Sequence, residues 1–344
     1  MLHWVRRGAI WLITFISLMV GRVSDYIEEY SFVILQLAGD NVYVDAIIFR
    51  IKRLLIDMLR TGPLPTHVSF IMDGNRRYAR GRKLSIKNGH EAGGETLLTL
   101  VYICKSLGIK CVSAYAFSIE NFSRPKEEVD SLMGLFSKKM DEFAERANDF
   151  KDPLYGCSFR VVGDMSLLDE ELKSKISNVE SKTEGGNFIL YLCFPYTSRN
   201  DIAHAVTETV SIYTEGPGKD ESELTIRELT NQMYFGPFSN KVDLLIRTSG
   251  HMRLSDYMLW QINEHSTIEF SDTLWPQFSF LQMYLILLKW SMFRVIQNYN
   301  NSNIDNNSKV AEKIYKPYKR FLNLTSLSSL PEPPIAVSIV GGKD

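Results

Sequence analysis

From His67 onward, apolar runs of strand length alternate with segments whose apolar residues recur at helical spacing. His67–Met72, Lys110–Phe117, Phe159–Gly163, Phe188–Phe194 and Val242–Arg247 read as strands. Between them, Glu91–Gly108 and Lys126–Asp149 carry apolar stripes and read as helices. This alternation predicts an α/β fold, with a central, mostly parallel sheet of about six strands covered by helices. In such sheets ligands bind beyond the carboxyl ends of the strands, so the residues following each strand are where chemistry is expected. Phe278–Gln297 is apolar enough to imitate a membrane span, but Gln282, Lys289, Trp290 and Arg294 interrupt it and favour a packed amphipathic helix.

The first 60 or so residues have a different character. Ala9–Val20 is an apolar run flanked by Arg6, Arg7 and Arg22, shorter than the about 20 residues a span needs, with no small-x-small cleavage site after it. Val42–Leu59 sets Ile47, Ile48, Ile51, Leu54, Leu55, Met58 and Leu59 at helical spacing, with Arg50, Lys52 and Arg53 among them. That pattern suits an interfacial helix, and also a helix packed on the domain. Together the two segments predict a membrane-associating helical region. Thr61-Gly62-Pro63-Leu64-Pro65 breaks the second helix. The chain therefore divides into an N-terminal region (1–62), a catalytic domain (63–300), and an Asn-rich loop and tail (301–344).

Charge and cysteine usage narrow the function. Lys and Arg total 39 against 40 Asp and Glu, a balance that excludes a general nucleic-acid binder. Cys104, Cys111, Cys157 and Cys193 form no C-x-x-C pair, which fits neither a zinc site nor a disulfide framework and suggests buried, reduced thiols in a cytosol-facing protein.

Three strand ends concentrate polar chemistry. Met72-Asp73-Gly74-Asn75-Arg76-Arg77 offers a carboxylate for a hard cation, a glycine that lets backbone approach a phosphate, and two arginines to grip phosphate oxygens. A solvated Asp-Gly turn would read the same way. Ala116-Phe117-Ser118-Ile119-Glu120-Asn121-Phe122-Ser123-Arg124-Pro125 combines hydroxyl, carboxamide, carboxylate and cation, although Ser118 or Asn121 could simply cap the next helix. Ile246-Arg247-Thr248-Ser249-Gly250-His251-Met252-Arg253-Leu254-Ser255 offers a second anion site through Arg247, Arg253 and Ser255. Two arginine-rich strand ends imply a pair of substrates carrying several negative charges.

These segments, with Gly89-His90-Glu91-Ala92-Gly93, Leu274-Trp275-Pro276 and Phe194–Asp201, resemble the cis-prenyltransferase family of undecaprenyl and dehydrodolichyl diphosphate synthases, the fungal dehydrodolichyl enzymes most of all. The resemblance runs from about His67 to Phe278. It implies repeated condensation of isopentenyl diphosphate onto an allylic diphosphate such as farnesyl diphosphate, giving a Z-polyprenyl diphosphate that is the dolichol precursor for protein glycosylation. It further implies that Asp73 holds Mg2+, that Gly74 and Arg77 cradle the allylic diphosphate with Arg76 and His90 beside them, and that Arg124, Arg247, Arg253 and Ser255 bind isopentenyl diphosphate. Asn75, Ser118 and Asn121 would orient that substrate near the proton that leaves. Phe117 and Phe122 would flank the allylic carbons. Leu97, Leu98, Val101, Leu132, Leu135, Phe136 and Phe143 are candidates to line the growing chain, and equally ordinary core residues.

The chain departs from the family pattern at four places. Ile86 stands where many relatives carry an arginine. Thr267 stands where bacterial relatives carry a second metal-binding carboxylate, with Glu264 and Glu269 out of register. His251 replaces a usual glutamate. The tail reads Ser338-Ile339-Val340-Gly341, with isoleucine in place of the arginine of the R-x-G motif. That last difference resembles two-subunit enzymes, in which a Nogo-B-receptor-like partner supplies R-x-G. The expected location is the cytosolic face of the endoplasmic reticulum membrane, or lipid droplets. A trans-type prenyl synthase would need adjacent aspartates, and the chain has none. A non-catalytic scaffold subunit of the same family is the remaining alternative, and it would lose the D-G-N-R-R and E-N-x-x-R-P residues present here.

Overall fold

In the computed structural model, the described residues are 42–215, 225–235 and 241–305. The run Ala9–Val20 and the tail with Ile339 lie outside them. Six strands form one parallel sheet in the order β3-β4-β2-β1-β5-β6: β1 His67–Ile71, β2 Cys111–Tyr115, β3 Cys157–Val162, β4 Phe188–Cys193, β5 Leu244–Arg247 and β6 Thr267–Phe270. The sheet is wholly parallel. The six strands agree with the number expected, but β6, a short edge strand, cannot be located from the pattern, because four residues with both faces partly exposed give no buried run to detect.

The helices are α1 Val42–Leu59, α2 Asn75–Gly81, α3 Ile86–Leu107, α4 Lys126–Asn148, α5 Glu170–Lys182, α6 Ser198–Glu215, α7 Ile226–Asn231 and α8 Phe280–Asp305. α3 starts five residues earlier than its apolar pattern suggests, because Ser85 caps it by accepting the Asn88 N–H at 3.1 Å. α8 runs through the boundary expected at 300.

Alternate strand residues feed two cores. Val68 and Phe70 face one that includes α3, α4, α5 and α8, whereas Ile71, Leu245 and Val162 join Tyr257, Met258 and Phe235 on the opposite face. Leu97, Leu98, Val101, Phe136 and Phe143 belong to the first core, and Phe136 stacks on Phe194 with ring centroids 3.9 Å apart. None of the four cysteines is in a disulfide, and all are buried. α1 packs Leu55, Ile56 and Leu59 inward while Phe49, Ile51, Leu54 and Met58 remain exposed. Among the described residues, no helix is long and apolar enough to cross a membrane.

β1 is the pivot. The chain leaves it toward β2 on one side, and β5 on its other side continues outward to β6. The connections diverge between β1 and β5, which opens a crevice at their carboxyl ends. Ile71 pairs with Arg247 in register, so the residues after β1 and the last residue of β5 meet there.

Candidate active site

The turn after β1 is held from three directions. Gly74 takes φ 115°, a conformation costly for any residue with a Cβ, and an added Cβ would lie 3.0 Å from Leu274. The Asp73 carbonyl accepts the Trp275 N–H at 3.0 Å and the Thr248 hydroxyl at 2.8 Å. The Leu274-Trp275-Pro276 turn and the β5 loop thus fix the backbone that carries the Asp73 carboxylate.

Arg247 is buried directly beneath that carboxylate. Its Nη2 donates to Asp73 Oδ2 at 2.9 Å, while Nη1 donates to Ser255 Oγ at 2.8 Å and to the Arg253 carbonyl. Burial lowers the Arg247 pKa from its ordinary value, Asp73 opposes that shift, and Arg253 and Arg77 add to it. His251 Nδ1 lies 3.0 Å from the same Oδ2 and 3.1 Å from Arg77 Nη2. Arg77 also donates to the Ser249 carbonyl at 3.2 Å and approaches the other oxygen, Asp73 Oδ1, at 3.7 Å.

The facing wall comes from α2, α3 and the loop before α4. α2 and α3 touch because Gly93 presents no side chain: a Cβ there would sit 2.5 Å from Asn75 Oδ1 and 3.0 Å from Trp275. Trp275, wholly buried, donates Nε1 to the Gly93 carbonyl at 2.8 Å. His90 Nδ1 lies 3.4 Å from Asn75 Nδ2. Burial, reinforced by Arg124 and Arg76, lowers the His90 pKa to about 4, so the ring is neutral at pH 7. Asn75 Oδ1 and His90 Nε2 are buried without hydrogen-bond partners within the protein, an unusual cost at a position not meant for a ligand.

The result is a cleft of about 310 Å3 lined by five arginines (Arg76, Arg77, Arg80, Arg124, Arg253), two histidines, and Asp73 as its acidic side chain. Such a surface attracts a multiply charged oxyanion. Asp73, Gly74, Asn75, Arg76, Arg77, His90, Arg124 and Arg253 all line the cleft, with Arg247 below it and Ser255 behind Arg247. Arg124 sits with the Arg76 and His90 group, because Glu128 pairs with Arg124 at 3.0 Å and Arg76 at 3.8 Å. Ser118 caps the turn Ile119–Ser123 by accepting the Glu120 N–H at 3.2 Å, and Asn121 Oδ1 accepts from Arg124 Nη2 at 2.9 Å. Both lie outside the cleft lining, so in this state they shape the loop that delivers Arg124. Phe122 packs edge-on against Phe117 with centroids 5.0 Å apart.

Sequence reasoning missed Glu128, Arg80 and the direct contact of His251 with Asp73. For Glu128 a signal existed, its i,i+4 spacing from Arg124. None of the residues considered for a second carboxylate reaches the cleft: Glu269 pairs with Lys289 at 2.8 Å, and Glu264 is exposed beside His265. Among the described residues, no group of three or more His, Cys, Asp or Glu side chains could enclose a metal. The donor set therefore suits a cation held by one protein carboxylate plus substrate phosphates, the manner in which Mg2+ is commonly bound.

Residues 71–295 match the family model described as "Putative undecaprenyl diphosphate synthase". The chain belongs to the cis-prenyltransferase family. Within it, the chain is 59% identical over 292 residues to dehydrodolichyl diphosphate synthase complex subunit SRT1 of Saccharomyces cerevisiae, covering 85% of this chain and 84% of that one. It is 38% identical over 242 residues to the human dehydrodolichyl diphosphate synthase complex subunit, covering 70% and 71%. The crystal structure of a cis-prenyltransferase relative, lavandulyl diphosphate synthase from Lavandula x intermedia in complex with dimethylallyl diphosphate, superposes with a TM-score of 0.61 at 27% identity, covering 66% of this chain and 95% of that one.

Proposed function

We propose that this chain is the catalytic subunit of a dehydrodolichyl diphosphate synthase, condensing isopentenyl diphosphate repeatedly onto farnesyl or another allylic diphosphate. The observation that carries this reading is the Asp73 carboxylate at the β1/β5 crevice, ringed by arginines and held by Arg247. A scaffold subunit would have no need to keep a buried arginine, a neutral histidine with one buried ring nitrogen left without a partner, and five cleft arginines around one carboxylate.

In this reading Gly74, Arg76, Arg77 and neutral His90 hold the allylic diphosphate, with Arg80 extending the grip. Arg247, Arg253 and Ser255 hold the isopentenyl diphosphate, Arg124 reaches it from the His90 side and Asn75 orients it, while Ser118 and Asn121 hold the loop that carries Arg124. The allylic C–O bond breaks and its electron pair leaves with diphosphate. The isopentenyl double bond then forms the new C–C bond, and the proton that leaves passes to a diphosphate oxygen. The arginines stabilise the departing charge without reorganising. Mg2+, held by Asp73 and substrate oxygens, would supply Lewis-acid neutralisation of the diphosphate.

A Nogo-B-receptor-like partner that supplies R-x-G would complete the site, since Ile339 stands where that arginine is expected; the relatives' designation as complex subunits agrees with this. The exposed apolar stripe of α1 supports attachment to a lipid surface, and the location taken for it in this reading is the cytosolic face of the endoplasmic reticulum or a lipid droplet. The test is incorporation of radiolabelled isopentenyl diphosphate by the full chain, with and without such a partner. Activity that vanishes in Asp73→Ala supports the catalytic reading, and appreciable residual incorporation removes Asp73 from the metal role. Full activity of the chain alone refutes the need for a partner.

A further inference from the structure

The loop after β5 is built against its own backbone preferences. Ser255 and Asp256 are consecutive non-glycine residues in the left-handed region, with φ 51° and 56°, followed by Met258 at 49°. Such a conformation persists only where surrounding contacts fix it. For Ser255 those contacts are Arg247 Nη1 on its hydroxyl at 2.8 Å and the Tyr115 hydroxyl on its carbonyl at 3.3 Å. For Asp256 they come from the start of α6. Ser198 N–H donates to the Asp256 carbonyl at 2.7 Å, Arg199 N–H donates to Oδ1 at 3.1 Å, and Arg199 Nε donates to Oδ2 at 2.8 Å.

The same guanidinium reaches a second loop. Arg199 Nη2 donates to Glu120 Oε1 at 3.0 Å, in the turn between Ser118 and Asn121 that delivers Arg124. Isolated exposed ion pairs contribute little. This one differs: the Asp256 side chain is only 12% exposed, it is held in two places by one residue, and it sits at a helix N-terminus that favours a carboxylate.

We infer that Arg199 is a positioning residue for the isopentenyl diphosphate half of the site. It does not line the cleft. Through Asp256 it fixes the left-handed stretch that sets Ser255 on Arg247, and its exposed contact with Glu120 adds a weaker link to the loop carrying Arg124. The inference rests on the proposed assignment of Arg247, Arg253 and Ser255 to isopentenyl diphosphate.

The test uses the full chain co-expressed with a Nogo-B-receptor-like subunit, and reads steady-state incorporation alongside calorimetric binding of isopentenyl diphosphate. Arg199→Ala is expected to raise the KM and Kd for isopentenyl diphosphate about tenfold, with the allylic KM and kcat nearly unchanged. Arg199→Lys, which keeps the charge but loses the fork, is expected to fall between. The double variant Arg199→Ala/Asp256→Asn should be no worse than the more severe single variant. Unchanged isopentenyl binding in Arg199→Ala overturns the inference, as does an equal rise in both KM values or a multiplied effect in the double variant. If Arg199→Ala is poorly folded by melting temperature, the split between the two KM values in Arg199→Lys decides in the same way. Wild-type complex that binds isopentenyl diphosphate without incorporating it overturns the catalytic reading, while the binding comparison still decides the role of Arg199.

Discussion

His251 Nδ1 and Arg247 Nη2 converge on one oxygen of Asp73, Oδ2, at 3.0 and 2.9 Å. A carboxylate pinned through one oxygen is oriented in advance, with its other oxygen turned toward the cleft side of Arg77. On the proposed metal role of Asp73, His251 would act as an outer-shell partner that orients the ligand.

Removing that contact should loosen the cation more than the substrates. His251→Ala is expected to raise the Mg2+ concentration for half-maximal incorporation about tenfold. Titrating Mg2+ at saturating substrates checks this, and an unchanged midpoint would assign His251 no part in orienting Asp73.

Arg247 bridges Asp73 and Ser255 from a buried position, so no other cation replaces it. Arg247→Lys offers a point charge on a flexible stem and cannot make both contacts. It should lower kcat/KM for isopentenyl diphosphate about 100-fold, equivalent to about 2.7 kcal/mol. Arg247→Ala removes the side chain that ties Asp73 to Ser255 and should cost about 1–3 kcal/mol of stability, read by urea unfolding.

Two neighbouring glycines of α3 should behave oppositely. Gly93→Ala drives a Cβ to 2.5 Å from Asn75 Oδ1, and is expected to destabilise by about 1–3 kcal/mol and to raise the allylic KM. Gly94→Ala meets only the flexible Lys139 side chain, no closer than 3.5 Å, and should stabilise the helix by up to about 1 kcal/mol. Melting temperatures of the two variants measure the contrast.

Acid should unfold the protein through two histidines. His67 and His90 are each lowered from 6.5 to about 4, His67 by complete burial between the Lys241 carbonyl and Ser113. As pH falls below 6.5 the unfolded chain takes up these protons, whereas the native chain resists until about pH 4. Stability is thus full above 6.5 and declines toward 4, by up to roughly 1.4 kcal/mol per pH unit for each histidine. Urea midpoints from pH 7 to 5 should show the decline. His67→Asn, whose amide can still reach the Lys241 carbonyl, should remove about half of the slope.

The sheet was legible because β1, β2, β4 and β5 are buried on both faces and therefore read as continuous apolar runs. Asp73, the arginines and His90 were legible because each lies in a short motif at a strand end or helix start. α2 was not, since seven residues opening Asn75-Arg76-Arg77 have no apolar period, and the turn at Gly74 conceals the helix start. His251 registered only as a departure from the family pattern. Its hydrogen bond to Asp73 spans 178 positions, and nothing local records such a contact. Arg199 escaped for the same reason, being exposed, polar and paired across loops.

The pairing of β1 with β5 also sets the order in which this protein can be made. During synthesis β1 and Asp73 leave the ribosome well before Arg247, which follows Asp73 by 174 positions. Until β5 arrives, one side of β1 is an unfilled apolar edge, open to pairing with another nascent chain. A chain truncated anywhere before Arg247 would thus yield a sheet that ends at β1, without β5 and β6, and a carboxylate without its buried cation.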